Sequence, residues 1–181
     1  MAEDFDKRLA EARLYEVGFA AWLTRCEWSV VAMYDFSGSE EKDQKPPKLK
    51  ASKPEDFLTL PDLLACKNGV SKWFEVKTKF GRTFGRISRE YETGLSLRHF
   101  LDYRKVKKRS GLEVWLAFIH VADEEVRVAE IDALSGPGIG RVSKINNERM
   151  VFFRWNSLLR VASISDIISV SRSSVKTAAA G

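Results

Sequence analysis

Asp62, Glu75 and Lys77 are the residues of this 181-residue chain whose types and spacing could do chemistry together. They lie in LPDLLACKNGVSKWFEVKTK, residues 60 to 79, beside two apolar runs, one of Leu58, Leu60, Leu63 and Leu64 and one of Trp73, Phe74 and Val76. Lys67-Asn68-Gly69 between the runs is turn material, so the stretch predicts a two-stranded hairpin. Alternation along a strand puts Glu75, Lys77 and Lys79 on one face and turns Phe74 and Val76 to the core. Pairing across the hairpin then brings Asp62 near Glu75. Two carboxylates and an ammonium would converge at the middle of a sheet, where burying unpaired charges costs several kcal/mol each. Something positive is expected between the carboxylates. A hard divalent cation suits them best, since no histidine lies in the stretch and neither cysteine is spaced for a thiolate site.

These residues resemble the PD-(D/E)xK nuclease superfamily, the restriction-endonuclease-like fold that includes archaeal Holliday junction resolvases. Pro61-Asp62 stands for the first half-motif and Glu75-Val76-Lys77 for the second. The resemblance implies that Asp62, Glu75 and the backbone carbonyl of Val76 hold magnesium, with manganese a workable substitute. It implies that Lys77 positions or activates the attacking water. Each half-motif is short and recurs by chance in many chains; placement on paired strands is what gives the pair meaning.

The elements needed to position these groups can be read along the chain. Phe5, Leu9, Ala12, Phe19 and Leu23 recur at three- and four-residue steps and predict an amphipathic helix over residues 4 to 25. Glu16 falls on that same stripe. An acid there either makes a salt bridge at the boundary or faces a polar centre. In the resembled superfamily a first-helix glutamate often reaches the metal through water, and the resemblance implies that role for Glu16. WSVVAMYDF, residues 28 to 36, predicts the first strand, and the polar, proline-bearing residues 37 to 56 a long loop. Lys45, Lys48, Lys50 and Lys53 in that loop either close over a polyanion or are plainly solvated.

Residues 80 to 94, FGRTFGRISREYETG, read as a connecting loop in which Arg82, Arg86 and Arg89, interleaved with aromatics, can grip phosphates or stack on exposed bases. LSLRHFLDYRKVKKR, residues 95 to 109, predicts a second helix ended by Ser110-Gly111, its basic last turn suiting the helix dipole. Leu97, Phe100, Leu101 and Val106 are the expected packing residues, leaving Arg104, Lys105, Lys107, Lys108 and Arg109 outside. His99 and Tyr103 share a face and either touch phosphate or serve the core. LEVWLAFIHV, residues 112 to 121, reads as a central strand buried on both faces, with His120 structural. EVRVAEIDAL reads as an outer strand, SGPGIGRVSKINNE as a loop and Met150 to Trp155 as a further strand. A short LLRVA helix capped by Asn156 and a disordered tail over residues 171 to 181 complete the chain.

Length and 44% hydrophobic content support one compact domain, residues 1 to 170. No apolar run approaches the roughly 20 residues that span a bilayer, and the first residues are acidic and amphipathic, which predicts a cytoplasmic protein. Cys26 and Cys66 are expected to be reduced core residues. Of a net charge of +5, residues 67 to 109 carry thirteen Lys and Arg against four acids, a local +9, and the remainder is net negative. That concentration predicts a polyanionic partner, most simply DNA, with Lys79, Arg82, Arg86, Arg89, Arg104, Lys105, Lys107 and Lys108 along its backbone.

The resulting order is an α/β sandwich, with a central mixed sheet flanked by helices, and it agrees with the αβββαβ core of the resembled fold over about residues 5 to 132. Three readings follow. One is a magnesium-dependent DNA endonuclease, structure-specific or of low sequence specificity because no base-reading module is present; the resemblance adds a homodimer. Another is a catalytically inactive nucleic-acid-binding module of the same fold. The last is an unrelated domain with a structural ion-pair cluster.

Overall fold

A computed structural model describes residues 2–33, 48–50, 57–81, 83–86, 88–135, 140–145 and 147–168. The element order is α1 (Ala2–Arg25), β1 (Ser29–Ala32), β2 (Lys48–Lys50), β3 (Phe57–Thr59), β4 (Leu63–Lys67), β5 (Val70–Lys79), β6 (Thr83–Gly85), β7 (Glu90–Ser96), α2 (Leu97–Ser110), β8 (Glu113–His120), β9 (Glu125–Glu130), β10 (Gly140–Ile145), β11 (Glu148–Arg154), β12 (Leu159–Ser163) and α3 (Ile164–Ile168).

A six-stranded sheet in the order β1-β4-β5-β8-β9-β12 forms the centre. β5 and β8 run parallel, and every other neighbouring pair in the sheet is antiparallel. The β5-to-β8 crossover passes through α2, as a parallel pair requires. Both faces are covered. Tyr15, Phe19 and Leu23 of α1 bury against Leu63, Phe74, Val76, Ala117 and Ile119. On the opposite face Phe100, Tyr103 and Val106 of α2 pack on Trp73, Val114, Leu116 and Phe118. The succession α1, β1, β4, β5, α2, β8 follows the expected αβββαβ order around a mixed sheet.

The β4–β5 hairpin turns at Asn68 and Gly69, both at positive φ (50° and 76°), which is what a two-residue turn matched to strand twist needs. α2 ends where expected, the Gly111 N–H donating to the Lys107 carbonyl at 3.0 Å. β8 is central and buried from Leu116 to His120.

Several expectations are corrected. Residues 80 to 94 are not a loop: they contain β6 and most of β7, which join β10 and β11 in a second sheet ordered β10-β11-β7-β6. The helix therefore begins at Leu97, with Leu95 and Ser96 in the strand. β10 likewise replaces part of the glycine-bearing loop. It pairs with β11 from Gly140↔Phe153 to Ile145↔Glu148, but its apolar Val142 and Ile145, three apart, fall on opposite faces, so no strand period marks it in the sequence. LLRVA is no helix either. Asn156 lies in a 3₁₀ turn and β12 pairs with β9, so β9 is inner and β12 is the edge. β-branched Val161 and the open edge of β9 outweigh a weak cap signal.

Within the expected long loop, β2 pairs with β3. Leu58 belongs to β3 and is separated from β4 by Leu60, Pro61 and Asp62. Leu9 and Leu101 are exposed, both lying off the faces that α1 and α2 turn to the sheet. Cys26 and Cys66 are free thiols but only half-buried, the Cys66 Sγ standing 3.1 Å from Ser71 Oγ. Residues 34 to 36, Lys45, Lys53, Gly136, Gly138 and residues 171 to 181 fall outside the described residues. Among the described residues no helix is long and apolar enough to cross a membrane.

Candidate active site

β4 pairs with β5 only from Lys67↔Val70 to Leu63↔Phe74. Beyond Phe74 the chain of β4 turns away through Asp62, and β5 continues from Glu75 to Lys79 with a strand partner on one side only, β8. The site occupies this fork. Asp62 fills the first gap: its Oδ2 accepts the Val76 N–H at 2.8 Å, taking the place of a partner strand's carbonyl. The Asp62 carbonyl in turn accepts the Met33 N–H at 2.8 Å, which fixes the residue at the end of β1. A strand residue directs its N–H and C=O to the same side, so the Val76 carbonyl faces the same open edge.

Glu75 is buried with 1% exposure because the face it shares with Trp73 is covered by the α2 cluster, not open to solvent. Its Oε1 is ion-paired with Lys77 Nζ. Apart from that ammonium, neither of its oxygens has a hydrogen-bond donor among the described residues. Lys77 is a third exposed, which opens one side of the pair to solvent. Asp62 is also buried. Glu16, half-buried on α1, is close enough to act electrostatically on both Lys77 and Glu75.

Three carboxylates thus surround one ammonium, and their titration reflects it. Burial, then the Glu75 charge, push Asp62 well above the ordinary carboxylate range; Lys77 and the Val76 N–H offset this only in part. Burial raises Glu16 to about 7, with Lys77 pulling it down and Glu75 pushing it up. For Lys77 burial favours the neutral amine, but Glu75, Asp62 and Glu16 outweigh it and hold the proton more firmly than usual. Lys79 is brought down to about 8 by burial and by the Lys77 charge.

These facts bear on a bound metal. The donors are all oxygen, two of the carboxylates are buried, and Lys77 is the one donor to Glu75 among the described residues, so a small hard cation fits the set. Among the described residues no group of three or more His, Cys, Asp or Glu side chains is gathered in metal-holding geometry. Two carboxylates with the remaining positions left to water and phosphate is the usual magnesium arrangement.

No protein-family profile matches the chain, and neither does any curated protein sequence. Among solved structures it is similar to Hjc, a Holliday junction resolvase from Archaeoglobus fulgidus, at 12% identity, TM-score 0.48, covering 87% of this chain and 97% of that one. It is also similar to D212, a nuclease from a fusselovirus, at 8% identity, TM-score 0.42, covering 94% of this chain and 92% of that one.

The remaining sequence-stretch candidates are dispersed. Lys79 ends β5, and Arg86 and Arg89 are exposed at the tip of the β6–β7 hairpin, while Arg82 lies outside the described residues. Arg104, Lys105, Lys107 and Lys108 belong to the C-terminal half of α2, whose end lies beside the start of β8. Lys72↔Glu113 and Lys79↔His120 mark the two ends of the β5–β8 ladder, seven residues or about 23 Å apart. The basic residues therefore form two groups. Lys107 is moreover engaged, by Glu130 at 2.7 Å and Asp132 at 2.5 Å. Tyr103 is a core residue, and His99 packs against its ring at 6.1 Å. What the sequence does not disclose is the Met33 contact that seats Asp62, and the buried Trp73 Nε1, without an acceptor among the described residues, on the Glu75 face. A backbone contact between distant segments leaves no mark in residue type.

Proposed function

We propose that the protein is a metal-dependent endonuclease that hydrolyses phosphodiester bonds of DNA. The observation that carries the reading is the pair of buried carboxylates, Asp62 and Glu75, at the open edge of β5 with the Lys77 ammonium beside them. A buried excess of negative charge destabilises a fold unless a ligand compensates it, and such groups cluster where function needs them.

Asp62, Glu75 and the Val76 carbonyl would hold magnesium, or manganese in its place. When bound, the cation supplies Lewis acidity at the scissile phosphate and makes a neighbouring water more acidic. In the metal-free protein three carboxylates hold the Lys77 proton, so the role assigned to Lys77 is that of an ammonium. It orients the attacking water and stabilises charge that develops on the phosphoryl oxygens. Glu16, with a pKa of about 7, accepts a proton from the water layer near neutrality. Lys79, at the end of the same strand, contacts phosphate.

Among the described residues no base-reading element is visible, and phosphate contacts alone carry no sequence information, so recognition is by backbone and shape. That favours a structure-specific or weakly sequence-specific enzyme, and the resemblance extends this to a homodimer that cuts two strands.

The test is cleavage of plasmid, linear duplex, single-stranded and four-way-junction DNA by wild type, Asp62→Asn, Glu75→Gln and Lys77→Ala, each with magnesium, manganese or EDTA. Cutting that needs the metal and is lost in all three variants is expected. Activity that survives EDTA, or persists in Glu75→Gln, would overturn the reading.

A further inference from the structure

The second sheet carries an aromatic pair that the core does not use. Phe84 and Tyr91 are cross-strand partners on β6 and β7, their rings edge-to-face at 5.5 Å, and they are 54% and 45% exposed. Leu95 and Phe153 are on the same face of this sheet and are buried in the main cluster; the hairpin projects past that cluster and carries the two rings into solvent.

The described residues of the hairpin are closely packed and hydrogen-bonded. Gly85 is buried against Ser88 and Glu92, where an added Cβ would stand inside contact distance of Ser88 Oγ and Glu92 Cδ. The Arg89 N–H donates to the Gly85 carbonyl at 2.7 Å and the Ser88 hydroxyl to the same carbonyl at 3.2 Å. Glu92 is fixed by Arg141 at 2.6 Å. Arg86 and Arg89 project from the tip and are exposed.

The hairpin's own charges are two arginines, Arg86 and Arg89, and two acids, Glu90 and Glu92, of which Glu92 is neutralised by Arg141. Between Lys77 and Tyr91 the chain has five cations, Lys77, Lys79, Arg82, Arg86 and Arg89, against the single acid Glu90. Glu90 itself faces Arg154 at 3.7 Å. An exposed aromatic pair flanked by arginines matches a nucleic-acid strand, whose bases stack and whose phosphates are anionic. It matches a second copy of the chain poorly. The exposed halves of two rings amount to about 200 Å², against roughly 800 Å² per partner in a stable interface.

We propose that the β6–β7 hairpin is a stacking platform for an unpaired base of the substrate strand, with Phe84 and Tyr91 presenting the rings and Arg86 and Arg89 holding the adjoining phosphates. The inference rests on the nuclease reading and narrows its substrate to DNA in which a base is already unstacked. Phe84 is seven residues from Lys77, at most about 25 Å of extended chain. The platform therefore lies within about seven nucleotide steps of the cut, at ~3.4 Å per step.

The experiment is equilibrium binding in EDTA, so that affinity is read without turnover. The probes are a fully paired duplex and a duplex of the same sequence with an internal unpaired tract containing 2-aminopurine. Wild type, Phe84→Ala, Tyr91→Ala and Phe84→Trp are compared after circular dichroism shows each folded. Stacking is worth about 1–3 kcal/mol per base, so Phe84→Ala should weaken binding of the unpaired probe about five- to 150-fold. Binding of the paired duplex should hold within about twofold, and Phe84→Trp should restore the affinity. Bound 2-aminopurine should be quenched by wild type and not by Phe84→Ala. Equal losses on both probes, no loss on either, or a wild-type dimer that Phe84→Ala dissociates would each overturn the platform. Cleavage is scored separately. Absence of cutting with the discrimination intact would sink the nuclease reading and leave the platform standing as a binding device.

Discussion

The Asp62 carboxylate and the Val76 N–H are joined at 2.8 Å where β4 parts from β5, so one oxygen of the site's first acid serves as a sheet hydrogen-bond acceptor. Structure and chemistry are therefore separable at this residue. Asp62→Asn keeps an oxygen for the Val76 N–H and removes the charge that Glu75 and Glu16 oppose; the metal-free protein should keep its melting temperature or gain a few degrees, while cleavage is lost. Asp62→Ala leaves a buried N–H unsatisfied at a cost of about 1–3 kcal/mol, or about 2–12 °C in melting temperature for a chain of this size. Differential scanning calorimetry of both variants in EDTA checks this. Equal destabilisation by Asn and Ala would contradict it.

Glu16 gives a pH signature. Its pKa is raised to about 7 from an ordinary value of 4.5, so the folded state holds a proton that the unfolded chain has lost. The sign follows: Glu16 contributes no penalty below about pH 4.5, and stability then falls as pH rises toward 7. Glu92, Glu113 and Asp166 have lowered pKa values and act below this window, Lys79, with a pKa of about 8, acts above it, and Asp62, raised like Glu16, adds a fall of the same sign that Glu16→Gln leaves in place. Melting temperature in EDTA should therefore drop by several degrees between pH 5 and 7 in wild type and by less in Glu16→Gln, given about 2–4 °C per kcal/mol. Identical slopes for the two proteins would show that Glu16 is solvated and outside the cluster.

How much of this was legible in the sequence varies with range. The 60 to 79 hairpin was, because Asn68-Gly69 and the flanking apolar runs are local signals, and Asp62 does come to the β5 edge beside Glu75. The central strand Leu112 to Val121 was also clear from its unbroken apolar run. The second sheet was not. β6 has three residues, β7 carries Gly94 and Thr93 amid charges, and β10 has no apolar alternation, so each is a strand chiefly because its neighbours are. Charge counting likewise placed thirteen cations along one stretch, but α2 runs back along the ladder and carries Arg104 to Lys108 away from Lys79.

Lys77 is asked both to compensate charge and to act on the nucleophile, and Lys77→Ala removes both. Losing an electrostatic stabiliser of this kind costs about 10²–10³ in rate. The same change leaves Glu75 and Asp62 without their ammonium, so the variant should also unfold at lower temperature in EDTA. Magnesium should recover much of that loss, since a cation supplies the missing positive charge, and RT ln(1 + [L]/Kd) sets the size. The measurement is melting temperature against magnesium concentration for wild type and variant. A variant insensitive to magnesium would place the cation elsewhere.

The separation of the two basic groups has a consequence for binding. Arg86 is exposed on the hairpin, whereas Lys107 is held by Glu130 and Asp132. A cation that neutralises a phosphate releases condensed counterions, so removing it lowers the slope of log K against log salt by about 1. Arg86→Ala should weaken DNA binding and reduce that slope by about 1. Lys107→Ala should leave the slope unchanged, because its charge is already spent on two carboxylates, and should instead lower thermal stability. A salt titration followed by fluorescence anisotropy distinguishes them. If Lys107→Ala changes the slope as much as Arg86→Ala does, the DNA path crosses the C-terminal end of α2 and the hairpin is one of two contacts instead of the principal one.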